Sequence, residues 1–478
     1  MQSEQPQTSV SSVAIIGGGI AGATAAVHLS ELGLNVTLIE KKDGLVSGPP
    51  ICHLHAGGNL YREISTQQCL ELLKQSIDTA RLYPQTINNR PTIIAVPYLD
   101  GGTPEELYER LISIQQAYRQ LVLEDSRNKV LGEPDDYYRF YSRDELDALA
   151  QKPQPDVPSS FEDWLIPFAK NVDLDTLRFP IAVVQEPGWS VFRIAASATL
   201  TLEETQNCQL LLNTKVVGLS QENGWTVECQ DEKGERFSVH ADYLINACGY
   251  ETGSIDDLAE KPRDRLVEFK AAYVTRWEEC DELWPEVIFH GPRGTPNGMA
   301  QLTPYPNGVF QLHGMTKDIT LFDDGLVASC PQSSQPKLPG RLEKKIISGW
   351  DDQTVVERSR RAIEHMARFV PGYHLASEYG TPLFGAQQIP GNDETLRAAD
   401  VTFCGNNYAR MEVVKGSSAL EAAKKLVEQW GLYDYGSQAI ECLHPVNISW
   451  SLDEVEEKAK SLAQQRSYPV ELAAYYGE

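Results

Sequence analysis

The residues with the clearest chemical meaning are three glycines that follow a short apolar stretch near the start of the chain. Gly17, Gly19 and Gly22 have the spacing GxGxxG. At this spacing the first glycine permits a tight turn, the second lets the backbone approach a pyrophosphate, and the third lets a helix pack closely on a strand. The N-terminus of that helix offers free N–H groups and a positive dipole end to the phosphates. The pattern therefore predicts a dinucleotide-binding turn.

The elements around these glycines complete a βαβ unit. Strands predicted over Val13–Ile16 and Val36–Ile39 flank a helical apolar pattern over Ile20–Leu32. Glu40 ends the second strand, where a carboxylate accepts hydrogen bonds from a ribose 2′-hydroxyl and repels a 2′-phosphate. No second strand–GxGxxG–helix unit follows in the sequence. A single unit favours FAD, with the substrate itself as electron donor, over a flavin enzyme that is reduced by NAD(P)H.

The rest of the chain alternates helical and strand patterns. Helices are predicted over Thr66–Arg81, Leu107–Val122, Val191–Leu202, Arg358–Phe369, Ser417–Trp430 and Leu452–Gln464. Strands are predicted over Leu210–Leu212, Val216–Ser220, Trp225–Gln230, Phe237–His240, Tyr243–Ala247 and Val401–Cys404. Turn residues at 222–224 and 232–234 join the middle strands into an antiparallel meander.

Composition narrows the class of protein. With 478 residues, the chain is long enough for two domains. Its net charge of −25 argues against a nucleic-acid partner, and no apolar run reaches the ~20 residues of a membrane span. The polar start lacks the features of a signal peptide. Nine scattered cysteines without a CxxC pair indicate free thiols, a cytoplasmic protein and no metal site.

Four separated pieces of the sequence resemble the D-amino-acid oxidase and glycine oxidase superfamily of FAD-dependent oxidoreductases. The first is the glycine fingerprint through Glu40, and the second is HAGGN at 55–59. The third runs from Phe192 to Gly249 and includes "LLLNTKVVGL" and "HADYLINACG". The fourth is "VTFCGNNYARMEVVKGSSALEAAKKL" at 401–426. Together they are similar to the flavin domain of that family.

The resemblance implies an α/β fold with a Rossmann-type FAD-binding domain, discontinuous in sequence, and an α+β substrate domain on an antiparallel sheet. The expected FAD-binding domain comprises residues 10–85, 190–255 and 384–432, and the substrate domain comprises 86–189 and 256–383. Residues 433–478 are expected to form a C-terminal helical tail. The residues expected to bind the cofactor are Gly17, Gly19, Ile20, Ala21, Gly22, Glu40, Lys41, His55, Ala56, Gly57, Gly58, Val216, Val217, Ala247, Cys248, Gly249, Gly405 and Gly416.

The implied reaction is removal of hydride from a C–H bond next to nitrogen or a hydroxyl. Relatives often bind a substrate carboxylate with an Arg-Pro step, but the matching stretch Tyr379–Gly385 has no arginine, which argues against a simple amino-acid substrate. Arg410, Lys415 and Arg62 are the cations expected to replace it or to face the flavin pyrimidine. The segments 55–62 and 406–415 are predicted to face each other across the flavin ring.

Other residues have a structural alternative beside the functional one. His55 is expected near the flavin, either joined covalently to it, as a similar histidine is in some relatives, or as a loop histidine. Lys270, Tyr273 and Tyr305 are candidates for the substrate cavity, although their spacing does not distinguish them from ordinary sheet residues.

Three other functions stay open at this point. One is a quinone-linked hydroxy-acid dehydrogenase at a membrane surface, against which the acidic composition argues. Another is a flavin-dependent enzyme of RNA modification or cofactor assembly, and the lack of a basic stripe argues against tRNA binding. The third is a non-catalytic FAD-binding subunit of a hetero-oligomer.

Overall fold

The glycine fingerprint lies at one end of a six-stranded sheet. The computed structural model describes residues 11–48, 54, 56–60 and 64–477. The sheet consists of β1 (Ser12–Ile16), β2 (Asn35–Ile39), β8 (Cys208–Leu211), β12 (Tyr243–Asn246), β20 (Val401–Phe403) and β21 (Tyr408–Met411). Its strand order is β20–β21–β12–β1–β2–β8, and every neighbouring pair is parallel except β20–β21.

A second, ten-stranded sheet is built around one long strand, β13. The sheet consists of β4 (Thr92–Pro97), β5 (Tyr138–Tyr141), β6 (Leu177–Val184), β13 (Arg265–Arg276), β14 (Glu286–Phe289), β15 (Ala300–Tyr305), β16 (Val309–Gly314), β17 (Leu326–Ala328), β18 (Ser377–Glu378) and β19 (Leu383–Pro390). Because β13 has 12 residues, it pairs antiparallel with four strands, β16, β17, β18 and β19.

The described residues also form two smaller sheets. The predicted meander is confirmed as the antiparallel β9 (Lys215–Glu222), β10 (Gly224–Gln230) and β11 (Arg236–Ala241). The short pair is β3 (Ile87–Asn88) with β7 (Gly188–Trp189).

The helices cover both large sheets. They are α1 (Ile20–Glu31), α2 (Thr66–Leu82), α3 (Tyr108–Glu124), α4 (Arg143–Leu149), α5 (Phe161–Asn171), α6 (Val191–Glu204), α7 (Thr252–Leu258), α8 (Gly340–Ser348), α9 (Asp352–Ala367), α10 (Ala419–Trp430), α11 (Ile440–Leu443), α12 (Pro445–Ser449) and α13 (Leu452–Gln465). Helix α9 begins six residues before the predicted Arg358, because Asp351 caps it by accepting a 2.9 Å hydrogen bond from the N–H of Thr354. Within the described ranges, no helix has the length and apolar character needed to cross a bilayer.

The two faces of the ten-stranded sheet carry different side chains. Strand β16 shows the alternation, because Phe310 and Leu312 belong to an apolar cluster with α4, α5 and α9, while Val309 belongs to the cluster that includes β1 and α1. Gln311 and His313 share the face of Val309 by the two-residue period of a strand, and both are buried. The polar face of the sheet therefore lies toward the six-stranded sheet.

The end of the six-stranded sheet differs from the prediction in two ways. The strand predicted over Val401–Cys404 is β20, but β20 is antiparallel to β21, and β21 is the strand that pairs parallel with β12. The predicted domain boundary at residue 384 falls inside β19, which pairs with β13 of the ten-stranded sheet along Leu383–Pro390.

The C-terminal segment is packed against the rest of the chain. Helix α13 lies on α6, and its residues Val455, Ala459 and Ala463 are fully buried. Near the end of the chain, Tyr476 donates a 2.9 Å hydrogen bond to the carbonyl of Trp284. The guanidinium of Arg276, in β13, lies 3.3 Å from the carboxylate of Glu471, so residues 452–477 contact both α6 and the ten-stranded sheet.

Candidate functional site

The glycine fingerprint forms a tight turn between β1 and α1. A Cβ added to Gly22 would lie 1.8 Å from the carbonyl oxygen of Gly17, so only glycine allows this helix to approach the turn. Gly17 itself has a φ of 100°, which L side chains rarely adopt. Both observations agree with the turn and close-packing roles predicted for these two glycines.

The start of α1 and the end of β2 fit the phosphate and ribose parts of a dinucleotide. Gly19 precedes the first residue of α1 and has no side chain to accept a hydrogen bond from the helix N–H groups. A Cβ added to Gly19 would meet no atom within 4 Å. The buried carboxylate of Glu40 accepts hydrogen bonds from the N–H groups of Gly18, at 2.6 Å, and Lys42, at 2.8 Å. An uncapped helix N-terminus and an adjacent carboxylate are what FAD requires here.

The residues after β12 lie against the same turn. The N–H of Ala247 donates to the carbonyl of Ile16 at 2.8 Å, and the thiol of Cys248 donates to the same carbonyl at 3.2 Å. Burial raises the pKa of the Cys248 thiol well above its usual range, so this thiol stays protonated. Lys41 forms an ion pair with Glu251, just beyond Gly249.

The meander meets this region beside Glu40. The N–H of Thr214, just before β9, donates to the Glu40 carbonyl at 2.9 Å. Val216 is buried within the meander cluster and Val217 is half-buried. Their contact with an adenine ring stays a prediction.

The turn before α10 lies next to the fingerprint, on the side of α1. Lys415 precedes a short 3-10 turn, Gly416–Ser418, and is half-buried. A Cβ added to Gly416 would lie 2.7 Å from the side chain of Ile20 and 3.0 Å from that of Trp189. The hydroxyl of Ser417 is buried and makes no hydrogen bond among the described residues. Lys415 and Gly416 therefore lie beside the predicted cofactor turn.

A buried carboxylate that the sequence analysis missed holds part of the HAGGN segment. Glu186 accepts hydrogen bonds from the N–H of Gly58 at 2.6 Å and the N–H of Asn59 at 3.1 Å. The hydroxyl of Tyr137 also donates to it at 2.5 Å. Burial raises the pKa of Glu186 to about 7. A lone glutamate in a loop has no spacing signal that would have revealed this role.

The structure describes only part of this segment. Ala56 is fully buried, and Gly57 leaves no room for a side chain, because an added Cβ would lie 2.7 Å from the carbonyl of Cys69. The predictions for His55 and Arg62 lie outside the described residues. The facing arrangement predicted for segments 55–62 and 406–415 is therefore not tested.

The prediction that Arg410 anchors the substrate is wrong. Arg410 lies within β21, and its guanidinium donates to the carboxylate of Asp256 at 2.7 Å and to the carbonyl of Lys261 at 2.7 Å. Arg265 and Tyr408 bind the same fully buried carboxylate. Strand alternation directs Arg410 to the face that carries Tyr408 and α7, away from α1 and α10. Arg410 is therefore part of a buried ion-pair network.

The prediction that Gly405 binds the cofactor is also wrong. Gly405 lies in the hairpin between β20 and β21, at the end of the sheet where β12 begins. In that hairpin the side chain of Asn407 donates to the carbonyl of Asp242 at 3.0 Å. The fingerprint lies at the opposite end, where β12 finishes at Asn246. Gly405 is thus a turn glycine, with a φ of 73°.

The polar face of the ten-stranded sheet carries a half-buried cation close to the turn before α10. Lys270 lies 2.7 Å from the carboxylate of Glu268 and 3.3 Å from the amide oxygen of Gln387. The amide of Gln387 donates to the carbonyl of Val414 at 2.6 Å, which links this face to the Lys415–Gly416 turn. Desolvation lowers the pKa of Lys270 to about 8.

Several other buried polar residues continue this face across the sheet. Glu286 binds Arg90 and Gln301, and the hydroxyl of Tyr305 donates to Gln311 at 3.2 Å. Among the described residues, the hydroxyl of Thr303 and the amide nitrogen of Gln311 find no hydrogen-bond partner. Buried polar atoms of this kind are typical of surfaces that bind a polar ligand.

Of the two other residues suggested for a substrate cavity, only one shares this face. Tyr305 belongs to the cluster that includes β1 and α1. Tyr273 lies on the apolar face, where its hydroxyl donates to the carbonyl of Ile319 at 2.9 Å. Tyr273 is therefore a core residue.

Comparisons with known proteins identify the same architecture. The model of a family described as FAD dependent oxidoreductase matches residues 12–381. The structure of glycine oxidase from Geobacillus kaustophilus matches with a TM-score of 0.55 at 13% identity, covering 90% of this chain and 97% of that chain. L-proline dehydrogenase from P. horikoshii matches with a TM-score of 0.57 at 16% identity, covering 92% and 98%. No curated protein sequence matches this chain significantly.

Proposed function

The chain belongs to the FAD-dependent oxidoreductases, with FAD as its cofactor, and from this premise we propose that it oxidises a small amine, amino acid or hydroxy acid. The substrate loses hydride from a carbon that carries the nitrogen or hydroxyl group. When bound, FAD supplies the hydride acceptor, and the protein supplies orientation and charge.

The cradle for the cofactor is assigned to the residues around the fingerprint. The N-terminus of α1 would hold the pyrophosphate, and Glu40 would bind the ribose hydroxyls. The turn Lys415–Gly416 would lie at the flavin end, where a cation stabilises negative charge on the reduced ring. These roles agree with the uncapped helix start and with the contact between Gly416 and Ile20.

The substrate is assigned to the polar face of the ten-stranded sheet. The observation that carries this assignment is the link from Lys270 through Gln387 to the carbonyl of Val414, next to the proposed flavin end. An ammonium group held there can fix an anionic group of the substrate or hold a proton near the reacting carbon. The hydroxyl of Thr303 and the amide nitrogen of Gln311, which find no partner in the described ranges, offer further polar contacts on the same face.

The direct test is anaerobic reduction of the purified holoprotein. A panel of amines, amino acids and 2-hydroxy acids is mixed with it while the flavin absorbance is recorded. Glycine and proline belong in the panel because glycine oxidase and L-proline dehydrogenase share the fold. Bleaching by at least one donor at a catalytic rate supports the proposal. A flavin that dithionite reduces but no donor does would favour a non-catalytic subunit instead.

The electron source is tested with the same apparatus. The sequence contains a single GxGxxG unit of this kind, so NADH and NADPH should reduce the flavin only slowly. Fast reduction by either would contradict the proposal that the substrate is the donor. Quinone reduction by the substrate-reduced protein, with oxygen as the comparison, separates a quinone-linked dehydrogenase from an oxidase.

The cofactor site is tested by Gly19→Val, which should abolish FAD binding by filling the space that a pyrophosphate needs. Gly340→Val is the matched control. A Cβ there also meets no atom within 4 Å, but Gly340 starts α8. Equal FAD content in the two variants would contradict the placement of the site.

A further inference from the structure

The turn that follows β2 packs directly on the fingerprint. The N–H of Val46 donates to the carbonyl of Gly18 at 2.7 Å. The side chain of Leu45 is so close that a Cβ added to Gly18 would lie 2.7 Å from it. Leu45 and Val46 are both buried. The Leu45–Val46 turn therefore forms one wall of the proposed cofactor cradle, next to Glu40.

This wall has an unfavourable backbone conformation. Val46 has a φ of 47°, in the left-handed region. A β-branched residue is a genuine outlier there, because its Cβ crowds the backbone. Such conformations persist only where the surrounding structure holds them, and they cluster at functional sites. The turn thus requires restraints beyond its single hydrogen bond to Gly18.

The restraint comes from the other end of the chain. The guanidinium of Arg466, just after α13, donates to the carbonyl of Leu45 at 2.7 Å and to the carbonyl of Val46 at 3.0 Å. It also lies 6.0 Å from the centre of the Phe192 ring. Both carbonyls of the strained turn are therefore bound by one cation.

The position of Arg466 is itself fixed. Helix α13 is anchored on α6 by buried small and branched residues, among them Val455 and Ala459. The chain reverses after Arg466, where the N–H of Tyr468 donates to the carbonyl of Ala463 at 2.9 Å. A guanidinium held by a packed helix is a rigid donor pair, which a mobile surface side chain would not be.

We propose that Arg466 is a positioning residue for FAD. It holds the Leu45–Val46 turn against Gly18, and so couples docking of the C-terminal segment 452–477 to the affinity for the cofactor. The proposal rests on the assignment of the pyrophosphate and ribose to the Gly17–Gly22 turn and Glu40. It does not depend on which substrate is oxidised.

The test measures the dissociation constant of FAD for Arg466→Ala, by stepwise dilution of the holoprotein and the fluorescence of released flavin. Loss of two charge-assisted hydrogen bonds to a strained turn should raise the Kd at least about tenfold. Lys458→Ala is the matched control: Lys458 also lies on α13 and reaches α6, with its ammonium 3.5 Å from Glu203, and within the described part of the chain it forms no ion pair with the turn. Its Kd should equal that of the wild type.

Two further variants separate positioning from general stability. Arg466→Lys keeps the charge and the fold but cannot bind both carbonyls in the same way, so its Kd should be intermediate. Val46→Gly removes the conformational strain, and in the Arg466→Ala background it should recover part of the lost affinity. A merely structural role would not be rescued in this way.

The outcomes are distinct from those of the substrate test. A wild-type Kd in both Arg466→Ala and Arg466→Lys overturns the proposal. So does a lower unfolding temperature of the FAD-free variant with an unchanged Kd. The Kd for FAD is measured without any substrate, so failure of the substrate assignment would leave this result unchanged.

Discussion

The two faces of the ten-stranded sheet are built from the same strands, yet one buries mainly apolar side chains and the other mixes apolar with polar ones. On one face Phe289, Leu302 and Phe310 pack under α4, α5 and α9. On the other face, toward the six-stranded sheet, Lys270 and Gln311 lie among further polar groups. Burying polar groups costs free energy unless they are hydrogen-bonded, so the polar side chains of the second face contribute less to stability than apolar ones would.

The energetic difference between the faces is substantial. A buried polar group without a partner costs about 1–3 kcal/mol, whereas a buried apolar side chain stabilises the fold by a similar amount. Thr303 and Gln311 each have an unpartnered atom among the described residues. The comparison therefore separates residues that stabilise the fold from residues that are available to bind a ligand. Variants on the apolar face should lose stability, and variants on the polar face should lose substrate-driven reduction.

The largest effect is expected on the apolar face, for Phe289→Ala. Phe289 stacks on Phe369 with ring centres 4.5 Å apart and also contacts Phe168. The cavity left by its removal should lower the free energy of unfolding by about 3–5 kcal/mol. Urea denaturation measures this loss. The FAD dissociation constant should not change, and a large change in it would contradict the separation between the two faces.

The next effect is expected on the polar face, for Lys270→Met. The variant should retain FAD, because Lys270 lies outside the fingerprint, but reduction by substrate should slow more than tenfold, which is about 1.4 kcal/mol in the barrier. Anaerobic stopped-flow measurements give the rate.

The matched control for Lys270 is Tyr273→Phe, on the same strand and the opposite face. It removes a hydrogen bond to the carbonyl of Ile319 and one from the guanidinium of Arg358, so it should lower stability and leave the reduction rate unchanged. If the two variants reduce at the same rate, the polar face does not contact the substrate.

A smaller effect is expected in the pH dependence of stability, through Glu186. Burial raises its pKa to about 7, above the usual 4.5. Between these two values the native state binds more protons than the unfolded state, so the stability that comes from the protonated carboxyl is complete below 4.5, falls as pH rises, and is lost above about 7. In Glu186→Gln this contribution should disappear. The difference between the two unfolding-temperature profiles, measured from about pH 5 to about pH 8, isolates it from other titrating groups. A difference that does not vary with pH would contradict the raised pKa.

Whether a feature could be predicted from the sequence depended on how far apart in the chain the residues that determine it lie. The βαβ unit was predictable because glycine spacing and apolar periodicity lie within 30 residues of each other. The prediction for Arg410 was wrong because it followed the family resemblance. Residues Gly405–Asn407 are a hairpin turn signal, and they join two short strands. The correct pairing with β12 depends on residues about 160 positions away.

The rest of the site could not be predicted from local patterns. Glu186 acts on Gly58 at a separation of 128 residues, and Arg466 acts on Val46 at a separation of 420. The alternation in β16 was visible, but only the tertiary fold determines which of its faces meets the six-stranded sheet. Long-range contacts therefore determine these parts of the site.

The smallest effect, and the sharpest comparison, comes from two neighbouring residues on β15. Leu302 belongs to the apolar cluster, whereas the hydroxyl of Thr303 is buried without a partner among the described residues. Leu302→Val removes one buried methylene, so it should cost about 1 kcal/mol. Thr303→Val keeps the shape and removes only the unpartnered hydroxyl, so stability should stay within about 1 kcal/mol of the wild type or rise. Urea denaturation gives the stabilities of both variants, and anaerobic reduction gives the rate at which the substrate reduces the flavin. Thr303→Val should reduce more slowly at low substrate, and Leu302→Val should not. If Thr303→Val is instead the less stable of the two, its hydroxyl has a partner in the folded protein, and the polar face owes its character to internal hydrogen bonds.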